Sequence, residues 1–149
     1  MAVQFTLGTA NEQIEVTILG FEDSSAENES VVKWLDSTVS VKIGVFSGSF
    51  TARFTTHDLW GLYERLSNAL ISPPSSVAFK NTGGDLSLSI EFNELGRATV
   101  TGAIQPSRSP QGILHFRFDV AQSDLVATTQ ELHDALQQFP IHKSPRSAG

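Results

Sequence analysis

The sequence predicts an α+β domain: an antiparallel system of about eight to nine strands, curved into one sheet or folded as a sandwich, with two amphipathic helices. Three observations predict it. Apolar residues alternate with polar ones through most of the chain, the period of half-buried strands with one wet face. Short turn-rich stretches separate these runs, so consecutive strands pair antiparallel, because parallel pairing needs a long crossover. Two segments abandon the alternation for helical spacing.

The elements follow in order. Ile14, Val16 and Ile18 point one way, with Glu15 and Thr17 opposite. Val39, Val41, Ile43 and Val45 repeat the pattern, as do Phe50, Ala52 and Phe54 after the Ser47-Gly48 turn signal. Leu59, Leu62, Tyr63, Leu66, Ala69 and Leu70 then lie at helical spacing. Thr55 or Thr56 caps this helix, Asp58 sits in its first turn, and Pro73-Pro74 stop it. Strand alternation returns in Leu86, Leu88, Ile90 and Phe92, in Ala98, Val100, Gly102 and Ile104, and in Leu114, Phe116, Phe118 and Val120. Asn81 to Gly84, Asn93 to Gly96 and Pro106 to Gly112 are the turns between them. Leu125, Thr128, Leu132, Ala135, Leu136 and Phe139 form the second helical stripe, capped by Ser123 and stopped by Pro140.

The chain thus reads as about five strands and a helix, then about four strands and a helix. At an offset of 66 residues, six positions of residues 50–70 recur identically in 116–136: Phe50/Phe116, Asp58/Asp124, Leu59/Leu125, Leu66/Leu132, Ala69/Ala135 and Leu70/Leu136. Duplication gives this pattern, and so do two strand–helix units meeting the same packing demand. The expected organisation is one domain over residues 1–140, with 141–149 as a mobile tail that has nothing to bury.

Bulk composition bounds the function. A chain of 149 residues buries roughly 70% of its unfolded surface and needs no staple. With no cysteine there is no disulfide framework and no thiolate metal site, and the cytoplasm is the default compartment. The start, "MAVQFTLGTANEQ", has neither a basic region nor an apolar run, so it does not read as a signal peptide. No stretch reaches membrane-spanning length. A net charge of −6 argues against a general nucleic-acid or anionic-membrane surface.

That charge is concentrated. Residues 12–36 hold seven acids (Glu12, Glu15, Glu22, Asp23, Glu27, Glu29, Asp36) against Lys33 alone, and 7 − 1 accounts for all six net negative charges. The loop "GFEDSSAENE", residues 20–29, is either a solvated connection or an acidic edge that meets a basic partner.

The sequence offers no catalytic signature: G-x-S-x-G, the phosphate-binding loop, the dinucleotide fingerprint and H-E-x-x-H are all absent. His57, His115, His133 and His142 are scattered, without ligand spacing on any one element, so no metal and no cofactor are expected. His57-Asp58 reads as a solvated histidine beside a helix-start carboxylate, since adjacent helical residues point apart. Trp34 and Tyr63 read as core. Trp60 lies off the leucine stripe and is either a packing residue or an exposed contact residue.

The order of motifs resembles a known family. "KWLDSTVSVKIGVFSGSFTARFTTHDLWGLYERL" looks like the body of the WapI-type immunity proteins of bacteria: a Trp-Leu pair, an alternating strand, a Gly-x-Phe hairpin and a Thr-x-Asp-Leu helix start. "LSLSIEF" and "LHFRFDVAQSDLVATTQELHDALQQFP" are similar to the family's exposed-face strand and to its closing strand, last helix and final Phe-Pro. The likeness spans roughly residues 13–140, and related uncharacterised bacterial proteins share the layout. The family's acidic start to the last helix is here Ala121-Gln122-Ser123, so no role is carried to that position.

The resemblance implies a non-catalytic cytoplasmic antitoxin that binds and blocks the toxic domain of a polymorphic bacterial toxin. Its candidate partner-binding residues are Glu22, Asp23, Glu27, Glu29 and Trp60, facing a basic toxin domain, with no nucleic acid or membrane involved. The alternative is a small-ligand module with an apolar pocket between sheet and helices.

Overall fold

The computed structural model describes residues 3–22, 33–72, 75–106 and 112–140. Asp23, Glu27, Glu29, the Pro73-Pro74 stop and the expected tail 141–149 lie outside the described residues. Eight strands and two helices follow in the order β1 Val3–Thr9, β2 Glu12–Phe21, β3 Trp34–Ile43, β4 Phe46–Thr55, α1 Thr56–Ile71, β5 Ser75–Lys80, β6 Leu86–Phe92, β7 Arg97–Ile104, β8 Leu114–Ala121 and α2 Gln122–Gln138. They form two separate four-stranded antiparallel sheets, β1-β2-β3-β4 and β5-β6-β7-β8, each a simple meander ended by a helix. The count is therefore four and four. The strands without an explicit alternation signal are short edge strands, β1 with Phe5 and Leu7 inward and β5 with Val77 and Phe79 inward.

Alternation places the core. Ile14, Val16 and Ile18 of β2 are buried, as are Leu35, Val39 and Val41 of β3, and Ala52 and Phe54 of β4. The second sheet contributes Leu86, Leu88, Ile90, Phe92, Val100, Phe116, Phe118 and Val120 to the same hydrophobic cluster, and the stripes of both helices complete it. Phe54 stacks on Phe79 at 6.5 Å between ring centroids, joining the two sheets. Gly8 of the first sheet lies against Phe118 of the second. Its φ is +109°, and a Cβ there would lie 2.1 Å from the Glu12 carbonyl oxygen and 3.0 Å from the Phe118 ring. Only glycine fits that corner.

Val45 departs from its alternation. It occupies the β3–β4 turn and is 91% exposed. The turn has two residues, Gly44-Val45, closed by Ile43 opposite Phe46. Gly44 has φ +61°, and no non-glycine residue has positive φ among the described residues, the combination of a type II′ hairpin.

The helices exchange partners. α1 leaves the first sheet and lies along β5, the edge of the second; α2 leaves the second sheet and lies along β1, the edge of the first. Each helix also supplies hydrogen bonds to the strand edge it covers. Thr128 Oγ1 donates to the Thr6 carbonyl at 2.5 Å, and the Thr6 N–H donates to Glu131 Oε1 at 2.9 Å. On the other side Arg65 Nη1 donates to the Ala78 carbonyl at 3.2 Å. Arg65 and Glu131 are 66 positions apart, the offset of the repeat, so equivalent helix positions serve equivalent strand edges. An edge without such partners is open to pairing with other chains.

Helix starts explain another repeated pair. The Thr55 side chain accepts from the Asp58 N–H at 3.0 Å while Asp58 Oδ2 accepts from the Thr55 N–H at 2.9 Å, a capping box. In α2 the N-cap is Ala121 rather than Ser123, so the helix begins two residues earlier than the serine hydroxyl suggests. Asp124 Oδ2 still accepts from the Ala121 N–H, at 3.3 Å. Gln122 replaces the missing cap by anchoring the start to the neighbouring turn: its N–H donates to the Gly96 carbonyl and its side chain to the Asn93 and Arg97 carbonyls.

Candidate partner-binding surface

The acidic segment leaves and re-enters the fold at one place. β2 continues through Gly20 and Phe21, so the connection starts two residues later than the loop read from the sequence. The Glu22 N–H donates to the Trp34 carbonyl at 3.0 Å, which ties the two roots together. Glu22 is half-buried. Its carboxylate takes two hydrogen bonds from Arg53, Nε to Oε2 at 2.5 Å and Nη2 to Oε1 at 3.1 Å. A planar guanidinium matches a carboxylate in this forked arrangement.

Arg53 also covers Trp34, with its guanidinium carbon 4.1 Å from the ring centroid. Trp34 is thus half-buried beneath a cation instead of lying in the core, since it alternates with the inward Leu35 and so stands on the outer face of the sheet. Beside it lies a cleft of about 300 Å³ lined by Leu19, Asp36, Ser37, Thr51, Ala52, Arg53, Gly83 and Asp85. Leu19 follows the inward Ile18, so alternation turns it outward to the cleft's rim, next to a bulge between Ile18 and Gly20.

The turn 81–85 closes the other side. Asn81 is buried and joins three strands: its Nδ2 donates to the Arg53 carbonyl and its Oδ1 accepts from the Leu86 N–H. Asp58 reaches the same turn, accepting from the Thr82 N–H at 2.9 Å and the Thr82 hydroxyl at 2.8 Å. The carboxylate of "THDLW" therefore fixes a helix start to a turn of the second sheet. His57 beside it is exposed.

Trp60 is 41% exposed on α1. Its ring lies 5.8 Å from Tyr63, whose ring lies 6.1 Å from His133 of α2, so an aromatic row crosses the helix pair. Tyr63 is half-buried, packed against the core's edge and not within it. Of the five partner-binding candidates, the structure places Glu22 and Trp60. Thr55, the N-cap of α1, pairs with Trp34, so the helix carrying Trp60 starts beside the roots of the acidic segment. Arg53 belongs to this surface and was not singled out from the sequence, and Trp34 beside it was read there as core. The period-two register that pairs Asp36 with Arg53 is the signal that places Arg53 there.

A second cleft, of about 450 Å³, opens at the opposite end, between the β3–β4 hairpin and the start of β8. Val41, Phe46, Phe50, Ile104, Ile113 and Leu114 line it. This apolar space lies at the rim of the sheets. No group of three or more His, Cys, Asp or Glu is placed to hold a metal among the described residues. Among them too, no helix is long and apolar enough to cross a membrane.

The family described as "Immunity protein WapI-like family" matches residues 4–140, nearly the whole chain. The chain belongs to the WapI-like immunity protein family. No curated protein matches it. The solved structure titled "Structure of the plant transcriptional regulator PBF-2" is similar at a TM-score of 0.47 and 12% identity, covering 99% of this chain and 93% of that chain.

Proposed function

We propose that this member of the WapI-like family is an immunity protein that binds the toxic domain of a bacterial toxin and blocks it without catalysis, in the cytoplasm of the cell that makes both. The family match across residues 4–140 carries this reading. The end of the molecule with Trp34, Arg53 and Trp60 supports a protein-binding role. Half-exposed tryptophans and an arginine are the residue types that concentrate binding energy in interfaces. The acids Asp23, Glu27 and Glu29 enter from the same roots and favour a basic toxin domain. In this reading Glu22 has two roles: it adds charge and it holds Arg53 over Trp34.

The test is expression of the toxic domain encoded beside this chain, with and without it. Rescue of growth and a stoichiometric complex of the two purified proteins are expected. Growth arrest that persists with folded chain present defeats the proposal. Within a complex, replacing Asp23, Glu27 and Glu29 by Asn or Gln slows association several-fold and removes most of its salt dependence, because exposed charges steer encounter and are screened over about 8–10 Å. Dissociation changes little. Trp60→Ala acts instead on dissociation.

A further inference from the structure

The two sheets have four edge strands, β1, β4, β5 and β8. α2 covers β1 and α1 covers β5. β8 carries exposed His115, Arg117 and Asp119 on its outer face, the charged pattern that discourages pairing. Among the described residues, β4 is closed near its end, where Asn81 donates to the Arg53 carbonyl. Its remaining stretch, Phe46–Thr51, has no charge and no proline. That stretch is also the most solvent-exposed part of the sheet and borders the apolar cleft.

The stretch reads the same in both directions: Phe46-Ser47-Gly48-Ser49-Phe50. Val45 and Thr51, both β-branched, extend the symmetry by one residue each way. We infer that the free edge of β4 pairs antiparallel with β4 of a second copy of this chain, about a two-fold axis at Gly48. In that register Phe46 faces the copy's Phe50, Ser47 faces its Ser49 and Gly48 faces its counterpart, so both halves of the interface are alike.

Hairpin geometry sets the backbone correctly for this. Counting the antiparallel alternation from the closing pair Ile43–Phe46, the N–H and C=O groups of Ser47 and Ser49 turn to the open edge. These are the residues that face one another across the axis. Phe46 and Phe50 lie on one face of β4, so pairing creates two cross-strand aromatic contacts over the cleft. It covers Phe46, which is 66% exposed and shares the cleft with Ile113, 52% exposed. The ladder spans about five residues, so the dimer is of the weak, exchanging class.

The absence of cysteine makes the register measurable. Sedimentation of the full chain over micromolar to millimolar concentration reads the association. Ser49→Pro removes an outward N–H without touching the β3 ladder, where proline is tolerated on an edge. It weakens dimerisation at least tenfold with an unchanged thermal midpoint. Under mild oxidation Gly48→Cys forms a disulfide-linked dimer, since directly opposed residues bring their Cβ atoms within reach and a Cβ at Gly48 meets nothing within 4 Å. Ser47→Cys does not, because its copy lies on the diagonal, roughly 7–8 Å away. A parent that stays monomeric throughout, a dimer that survives Ser49→Pro, or equal cross-linking by both cysteines overturns the inference. If the proline variant fails to fold, the comparison of the two cysteine variants decides alone.

Discussion

Thr128 offers the sharpest test of how the two halves hold together. It is fully buried in the apolar stripe of α2, and its hydroxyl donates to the Thr6 carbonyl at 2.5 Å. Thr6 belongs to the edge strand β1, and its N–H is taken by Glu131 of the same helix. Both backbone groups of Thr6 therefore face α2 and away from β2. Thr128→Val keeps the shape and deletes the donor. An unpaired buried carbonyl costs about 1–3 kcal/mol. The methyl that replaces the hydroxyl returns up to about 0.8 kcal/mol through apolar burial. The net expectation is a loss of about 1–2 kcal/mol. For a chain of this size that lowers the thermal midpoint by roughly 2–8 °C. Urea unfolding measures it, with an unchanged slope showing that compactness is unaltered. A valine variant as stable as the parent refutes the reasoning, because it makes position 128 a packing site whose hydroxyl contributes nothing.

Leu66→Ala and Leu132→Ala each cost about 2–5 kcal/mol in denaturant melts, because both side chains are fully buried at equivalent positions of the two helices. Asp58→Ala loses the capping box and both bonds to Thr82, which costs about 1–2 kcal/mol for the cap alone, whereas His57→Ala stays within about 0.5 kcal/mol and leaves the proposed partner binding unchanged. Gly8→Ala prevents folding or lowers the melting point severely, since its Cβ would overlap the Glu12 carbonyl at a φ that alanine avoids. Circular dichroism melts of the Asp58, His57 and Gly8 variants check these stabilities in one series, and titration of the His57 variant with the proposed partner checks binding.

What the sequence determined by itself is most of what local period and turn chemistry carry, although the Ser47-Gly48 turn signal fell inside β4. The alternation of Ile14 to Ile18 or Leu86 to Phe92 specifies strands because a strand's faces alternate residue by residue. The stripes from Leu59 and Leu125 specify helices for the equivalent reason. The 66-residue recurrence announced a repeated unit, and motif order announced the family. Short strands escaped because two inward residues, as in β1 and β5, are too few to establish a period. Val45 continued an alternation and yet became a turn residue, since Gly44 relieves the backbone there and no pattern of apolar residues reports that. Only the tertiary structure decided which helix covers which sheet. That choice turned Thr128, Glu131 and Arg65 into caps for distant strand edges and left β4 uncovered. The helix caps link residues far apart in the chain, and their contact is fixed by how the layers stack, not by any spacing along the sequence; Arg53 meets Trp34 through strand register within one sheet.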